Sequence, residues 1–318
     1  MTPIISVKDV RRSYGRGQNR FEALKGVSFD IFEGETLGVV GESGCGKSTA
    51  GRAVLRLYEA TAGSIRIDGE DIATLPPEKL RRKRPSMQMV FQDPQASLNP
   101  RMTVAGIIGE PLDEHTDWSR AKKLERIYEL MDQVGLNRDF ANRYPHAFSG
   151  GQRQRIGIAR ALALKPKFIV CDEPIAALDV SIQAQVVNLL RDLQREMGLT
   201  LIFVAHDIGI VRHISDEVLV MYLGGMMEYG PAREVVTAPR HPYTRALLSA
   251  VPVPDPDVKV IPQILQGDLP SPMDLPKGCF FQSRCVHATQ ACGETRPQIR
   301  AIGASHVSCI RAEELETA

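Results

Sequence analysis

The chain contains at residues 41–49 the run Gly41-Glu42-Ser43-Gly44-Cys45-Gly46-Lys47-Ser48-Thr49. This run fits the pattern G-x-x-x-x-G-K-[ST] of the phosphate-binding loop. Its glycines can adopt backbone angles that residues with a Cβ avoid, so consecutive N–H groups can point inward at phosphate oxygens. The lysine adds a positive charge near the β- and γ-phosphates, and the serine hydroxyl can ligate Mg²⁺. The sequence therefore predicts a nucleoside-triphosphate site at these nine residues.

The flanking residues fit this interpretation better than they fit a chance glycine-rich turn. Residues 36–40 form a short apolar run, which predicts a buried strand directly before the loop. Residues 49–58 predict a helix directly after it. The N-terminus of such a helix faces the loop and favours a bound anion.

Composition limits the class of protein. A length of 318 residues predicts two domains, and we place them at residues 1–250 and 251–318. Lys and Arg number 39 against 38 Asp and Glu, which argues against a strongly basic nucleic-acid-binding protein. No apolar run of 18 residues and no signal peptide is evident in the sequence, so we expect a cytoplasmic chain that reaches a membrane only through partners. Its six cysteines are then expected to be ligands or buried thiols, not disulfides.

The order of the predicted elements indicates a layered α/β chain. Apolar and polar residues alternate with turns over residues 4–40, which predicts antiparallel strands before the loop. Residues 63–69 and 87–91 predict further strands. An inserted helical subdomain is expected at about residues 100–160, where Leu124, Ile127, Tyr128, Met131 and Val134 have helical spacing.

Three further features upstream of residue 153 suggest nucleotide chemistry, although each is weak alone. Tyr14 lies in a predicted polar turn and could stack on adenine, or could be an ordinary half-buried tyrosine. Gln92 follows a core strand and could reach Mg²⁺ and the attacking water. The run Ser149-Gly150-Gly151-Gln152 could leave helix N–H groups available to an anion, or could be a simple N-cap.

Two strand ends carry the remaining candidates. The apolar run at residues 167–171 ends in Asp172 and Glu173, which suit a Mg²⁺-associated carboxylate and a group that polarises water. Asp179 follows shortly after. A second apolar run at residues 199–205 ends in His206, a candidate sensor of the γ-phosphate, although a lone histidine is usually structural.

The order of these motifs resembles that of the ATP-binding subunits of ABC transporters, over roughly residues 4–250. The resemblance implies an α/β fold of the P-loop NTPase class, with an antiparallel β subdomain, the inserted helical subdomain and a small C-terminal cysteine-containing appendage. It also implies a head-to-tail dimer, in which ATP lies between the phosphate-binding loop of one subunit and residues 149–152 of the other.

The same resemblance assigns roles to single residues. Tyr14 would stack on adenine, and Ser48 and Gln92 would coordinate Mg²⁺ with support from Asp172. Glu173 would be the general base. His206 would hold the γ-phosphate and orient water, while Asp179 would bridge across the dimer.

A closer resemblance is to the ATP-binding subunits of oligopeptide and dipeptide importers, on residues 91–103, 178–185 and 241–248. The form Ser97-Leu98-Asn99-Pro100-Arg101 is similar to the second of the two ATPases in such systems. It implies a heterodimer with a homologous ATPase, two permease subunits and an extracytoplasmic binding protein, at the cytoplasmic face of the inner membrane. Ala176 stands where the family often has serine. Two alternatives stay open. The chain could power import of nickel, glutathione or oligosaccharides, or, as the weaker alternative, it could be a soluble ABC-type protein that acts on nucleic acid.

The tail after Val251 is rich in proline and then in cysteine. Four cysteines, Cys279, Cys285, Cys292 and Cys309, have the spacing C-x5-C-x6-C-x16-C. Four thiolates suit Zn²⁺ or an iron–sulfur cluster, but the spacing lacks the C-x2-C of common zinc ribbons. It is similar to the C-terminal pattern of peptide-transporter ATPases, some of which hold a [4Fe–4S] cluster. A cluster, zinc and unliganded thiols all stay open.

Overall fold

A computed structural model describes residues 2–17, 20–251, 265, 267, 270–271 and 273–316. Most of the predicted proline-rich linker, including Pro252, Pro254 and Pro262, lies outside the described residues. The strands are β1 Ile5–Tyr14, β2 Phe21–Ile31, β3 Thr36–Val40, β4 Ala62–Ile67, β5 Glu70–Asp71, β6 Met87–Val90, β7 Phe168–Asp172, β8 Thr200–Ala205, β9 Glu217–Tyr222, β10 Gly225–Pro231, β11 Arg300–Ile302 and β12 Ser305–Val307. The helices are α1 Lys47–Val54, α2 Pro77–Lys83, α3 Pro94–Ser97, α4 Val104–His115, α5 Arg120–Gln133, α6 Gly150–Leu162, α7 Val180–Met197, α8 Ile208–Ile214, α9 Ala232–Thr237, α10 Pro242–Ser249 and α11 Gln290–Glu294.

The chain forms two compact units. The first comprises Met1–Ala73 and Phe203–Ala318, and the second comprises Thr74–Ile202. The predicted domain boundary at residue 250 stays a prediction, because the first unit contains residues from both sides of it.

Two sheets contribute strands to the first unit. One has the strand order β2-β1-β4-β5 and is antiparallel, as the alternation of residues 4–40 predicts. Residues of β1 that point to the core, such as Ile5 and Val7, alternate with more exposed ones. The other is an eight-stranded sheet with the order β11-β12-β10-β9-β3-β8-β7-β6, in which β3 is parallel to β9. All five residues of β3 are buried, as expected for the strand that leads into the phosphate-binding loop.

The C-terminal segment at residues 273–316 extends this second sheet. Strand β12 pairs antiparallel with β10, so that His306 lies opposite Tyr229. The N–H of Ser308 then donates to the carbonyl of Met227 at 2.9 Å. The cysteine-containing segment is therefore joined to the nucleotide-binding core by backbone hydrogen bonds.

The second unit is largely helical around the parallel pair β6 and β7. Helices α4, α5 and α6 pack through buried residues such as Ile108, Leu130 and Ile158. The predicted apolar face of α5 is confirmed except at Leu124, which is exposed. Arg126 is buried in its place, and its guanidinium donates to the carbonyl of Leu162 at 3.1 Å. In the part of the chain that the structure describes, every helix is too short or too polar to span a bilayer.

Candidate nucleotide-binding and hydrolysis site

The phosphate-binding loop connects β3 to α1, and its glycines set its shape. Gly44 has φ 78° and Gly46 has φ 102°, in the region that residues with a Cβ avoid. A Cβ at Gly46 would lie 2.6 Å from the carbonyl oxygen of Ala23. A Cβ at Gly44 would meet no heavy atom of the described residues within 4 Å, so this side of the loop is open. One side of the loop is thus exposed, as the predicted phosphate site requires.

Lys47 is the first residue of α1 and is almost fully buried. Its ammonium group donates to the carbonyls of Gly41 at 2.7 Å and Glu42 at 3.0 Å, which holds the loop in its curled form. Ser48 and Thr49 follow in the first helical turn, half-buried, where helix N–H groups favour an anion. These residues fit ATP, and the Ser48 hydroxyl fits a ligand of Mg²⁺.

Cys45 and Ser43 of the loop differ in exposure. Cys45 is buried, and burial raises the pKa of its thiol. Ser43 is exposed. Neither observation tests the predicted binding role of these residues, which stays a prediction.

Tyr14 is the last residue of β1 and does not lie in the predicted turn. Its ring centroid is 6.0 Å from that of Tyr58, edge to face. The Arg12 guanidinium lies 4.7 Å from the ring centroid. Stacking of adenine on Tyr14 stays a prediction.

In the second unit the structure brings Gln92 and Glu173 together. The side-chain amide of Gln92 donates to Oε2 of Glu173 at 2.8 Å. Glu173 has φ 45°, an unfavourable angle for a residue with a Cβ, at the point where β7 ends. Such strain is concentrated at functional sites. Asp172, the last residue of β7, is fully buried. The strand end therefore presents one buried and one more accessible carboxylate.

Residues 149–152 form a capping box at the start of α6. Oγ of Ser149 accepts from the N–H of Gln152 at 3.3 Å, and the Gln152 side chain accepts from the N–H of Ser149 at 3.1 Å. A Cβ at Gly151 would lie 2.5 Å from Cγ2 of Ile182 in α7, so glycine permits close packing of α6 against α7. Ser149 and Gly150 are exposed. Ser149 is therefore an N-cap, and the predicted contact of residues 149–152 with ATP of a second subunit stays a prediction.

The remaining two candidates also follow strand and helix ends. Asp179 is exposed and precedes α7, and in the described structure its side chain makes no capping hydrogen bond to that helix. His206 is exposed directly after β8 and belongs to the first unit. Asp207 beside it caps α8 by accepting from the N–H of Gly209 at 2.7 Å.

The four C-terminal cysteines line one cavity of about 20 Å³, room for about one water molecule. All four are free thiols. Burial raises the pKa of Cys279 to about 11 and also raises the pKa values of Cys285 and Cys309. Across the described residues, no three His, Cys, Asp or Glu side chains form a group that could hold a metal ion. The structure therefore gathers the predicted thiols without drawing them to ligand distances.

Sequence reasoning missed two residues that touch the phosphate-binding loop. The guanidinium of Arg284 forms a two-pronged ion pair with Glu42, and the Tyr243 hydroxyl accepts from the N–H of Glu42 at 2.9 Å. Arg284 and Glu42 are 242 positions apart, and no local pattern connects them.

Comparison with protein families and with single relatives places the chain among known proteins. The family model "ABC transporter" matches residues 24–176, and the model "Oligopeptide/dipeptide transporter, C-terminal region" matches residues 227–292. The oligopeptide transport ATP-binding protein OppF of Escherichia coli is 54% identical over 313 residues, which cover 97% of this chain and 93% of that protein. OppF of Salmonella typhimurium is 53% identical with the same coverage.

Solved structures resemble the nucleotide-binding core. A dimeric, post-hydrolysis structure of the ATP-binding cassette MJ0796 bound to ADP and Pi has a TM-score of 0.66 and 32% identity, covering 72% of this chain and 99% of that one. The cbiO1 protein of Clostridium perfringens has a TM-score of 0.67 and 29% identity, covering 74% of this chain and 91% of that one.

Proposed function

Since this chain belongs to the family of ABC transporter ATP-binding proteins, in its oligopeptide/dipeptide branch, we propose that it is the ATPase that powers peptide import through a membrane permease. The contact of Gln92 with Glu173 at the end of β7 is the observation that best supports ATP hydrolysis by this chain. This contact supports the proposal, because a neighbouring amide and carboxylate can together orient and deprotonate a water molecule.

In the proposed reaction, water attacks the γ-phosphorus of ATP and ADP leaves as the bridging P–O bond breaks. Glu173 takes the proton of the attacking water, and Gln92 orients that water. Lys47 and the N–H groups of the loop hold the phosphates, and His206 contacts the γ-phosphate. Ser48, Gln92 and Asp172 would hold Mg²⁺, which neutralises charge on the phosphates when bound.

We further propose that residues 149–152 act on ATP bound by the loop of a second, homologous ATPase subunit, and that Asp179 contacts that subunit. The exposure of Ser149 and Gly150 supports this role, as does Val180, an apolar side chain that is 81% exposed at the start of α7. A closed pair would cover these residues, and ATP at the interface would shift the equilibrium toward closure.

The proposed assembly contains two permease subunits and, on the other side of the membrane, a substrate-binding protein. The chain would then be a peripheral subunit at the cytoplasmic face of the inner membrane. Phe91, exposed beside Gln92, supports a permease contact on the second unit, because it is an apolar side chain next to a hydrolytic residue.

We also propose that residues 251–318 are a small appendage and that its four cysteines hold a [4Fe–4S] cluster or Zn²⁺. Their convergence on one cavity supports this proposal. Metal and acid-labile sulfide analysis of anaerobically purified protein tests it. About four iron and four sulfide per chain would indicate the cluster, and one zinc would indicate a zinc site. Wild-type protein with neither metal would overturn it.

The function is tested by reconstituting the chain with its permease and partner ATPase in liposomes. Hydrolysis is compared for wild type and Glu173→Gln, with and without binding protein loaded with peptide. We expect peptide to stimulate hydrolysis and the variant to lose about 100-fold or more of it, the range for removal of a general base.

A matched control is Glu196→Gln, which changes an exposed glutamate on α7 in the same way. This control should hydrolyse ATP like wild type. Hydrolysis without peptide stimulation would keep the ATPase and point to nickel, glutathione or oligosaccharide as substrate. Full activity of Glu173→Gln would contradict its role as base.

A further inference from the structure

The C-terminal segment reaches the phosphate-binding loop through one buried arginine. Nη1 of Arg284 lies 2.6 Å from Oε2 of Glu42, and Nη2 lies 3.0 Å from Oε1. The Arg284 side chain is only 8% exposed. Two parallel hydrogen bonds fix both the distance and the orientation of a carboxylate, which a single surface contact does not do.

Arg284 is itself held by the turn that carries the cysteines. Its N–H donates to the carbonyl of Phe281 at 3.1 Å, and it directly precedes Cys285. The turn is anchored by the N–H of Cys279, which donates to the carbonyl of Cys292 at 2.8 Å. The position of the guanidinium therefore depends on the fold of the cysteine segment.

A buried aromatic cluster supports the same contact. The ring of Phe281 packs against Tyr222 and Tyr243, with ring centroids 5.4 and 5.2 Å apart. Tyr243 is fully buried, and its hydroxyl accepts from the N–H of Glu42. Glu42 is thus fixed at its backbone by Tyr243 and at its carboxylate by Arg284.

The charge balance gives this contact a consequence for nucleotide binding. Glu42 is the second residue of the loop that holds the negatively charged phosphates of ATP. An unpaired carboxylate there would repel the phosphates, and the repulsion is stronger where burial limits screening. The positive charge of Arg284 neutralises the Glu42 carboxylate and so removes this repulsion.

We propose that Arg284 is a positioning residue for ATP binding, which neutralises and orients Glu42 so that the phosphate-binding loop accepts the triphosphate. The C-terminal segment then contributes directly to ATP binding through Arg284. The inference rests on ATP binding by this loop.

The test is the Kd of the full-length chain for a fluorescent ATP analogue, MANT-ATP. Arg284→Gln should raise the Kd about five- to tenfold, within the usual range of coupling between sites. The rise should shrink as ionic strength increases, because the Glu42 side chain is 28% exposed and salt partly screens its repulsion of the phosphates. In the reconstituted transporter, KM for ATP should rise while kcat at saturating ATP changes little.

The double variant Glu42→Gln, Arg284→Gln removes both charges and should return the Kd to within about twofold of wild type. Arg300→Gln breaks an exposed ion pair with Glu313 in the same segment and should leave the Kd unchanged. A wild type that does not bind MANT-ATP would refute the nucleotide site itself, separately from this inference.

Three results would overturn the inference: folded Arg284→Gln with the wild-type Kd, a double variant as weak as the single one, or an equal effect of Arg300→Gln. If Arg284→Gln does not fold, Arg284→Met decides, since it also removes the positive charge and keeps a long, unbranched side chain. Arg284→Met should raise the Kd, and an unchanged Kd would overturn the inference.

Discussion

The phosphate-binding loop and the Ser149–Gln152 segment differ in what surrounds them. The loop is held in place by its own unit: Lys47 is 3% exposed and donates to loop carbonyls, and Glu42 is held by Tyr243 and Arg284. Residues 149–152 satisfy their cap among themselves and leave Ser149 and Gly150 exposed. The loop is thus held by contacts within its own chain, whereas the partner contact that we propose for the other segment would use residues that are exposed in the single chain.

The largest expected effect is on ATP hydrolysis, and it should follow from a change in the Ser149–Gln152 segment but leave ATP binding by the loop unchanged. Ser149→Arg places a bulky cation on the exposed cap, where we propose that ATP of the partner subunit is contacted. Hydrolysis by the assembled transporter should fall roughly 100- to 1,000-fold, as for loss of a group that stabilises the transition state. The Kd of the isolated chain for MANT-ATP should stay at the wild-type value. A parallel loss of that binding would remove the distinction between the two regions.

The loop should show the opposite behaviour. Lys47→Ala removes the buried ammonium group, and we expect the Kd of the isolated chain for MANT-ATP to rise on the order of 100-fold, since truncating a buried charge partner costs about 2–5 kcal/mol. Lys79→Ala, at an exposed lysine of α2, is the control and should bind normally. Equal binding by Lys47→Ala and Lys79→Ala would be incompatible with a phosphate site at residues 41–49.

The smallest effect is measured as a change in stability. Gly151→Ala puts a Cβ 2.5 Å from Ile182, and should lower the free energy of unfolding by about 1–3 kcal/mol. Gly157→Ala in the same helix meets no heavy atom of the described residues within 4 Å, and should raise that free energy by up to about 1 kcal/mol. Urea denaturation measures both changes. Effects of the same sign would mean that the α6–α7 contact is not tight.

The local sequence pattern was sufficient to predict the structure wherever a few consecutive residues determine the backbone geometry. The phosphate-binding loop, the buried β3 before it and the helix after it follow from glycines, apolar runs and a lysine within about twenty residues. The capping box at Ser149 follows for the same reason.

Contacts between distant residues could not be predicted in this way. The Arg284–Glu42 pair and the β12–β10 pairing depend on how the C-terminal segment folds back, which composition does not specify. The left-handed angle of Glu173 and the exposure of Leu124 are also outcomes of tertiary packing. Hydropathy spacing alone predicts Leu124 in the core, but the structure exposes Leu124 and buries Arg126, whose guanidinium donates to the carbonyl of Leu162.

The most direct test asks which subunit loses nucleotide when residues 149–152 are altered. In the reconstituted transporter, photolabelling with 8-azido-ATP marks the chain whose loop holds the nucleotide, and the two ATPases are separated on a gel. With Ser149→Arg in this chain, we predict that stable labelling of the partner ATPase is lost while this chain is still labelled. With Lys47→Ala, labelling of this chain should be lost. If Ser149→Arg instead removes the label from this chain and spares the partner, then the proposal that residues 149–152 contact ATP bound by the partner subunit is wrong.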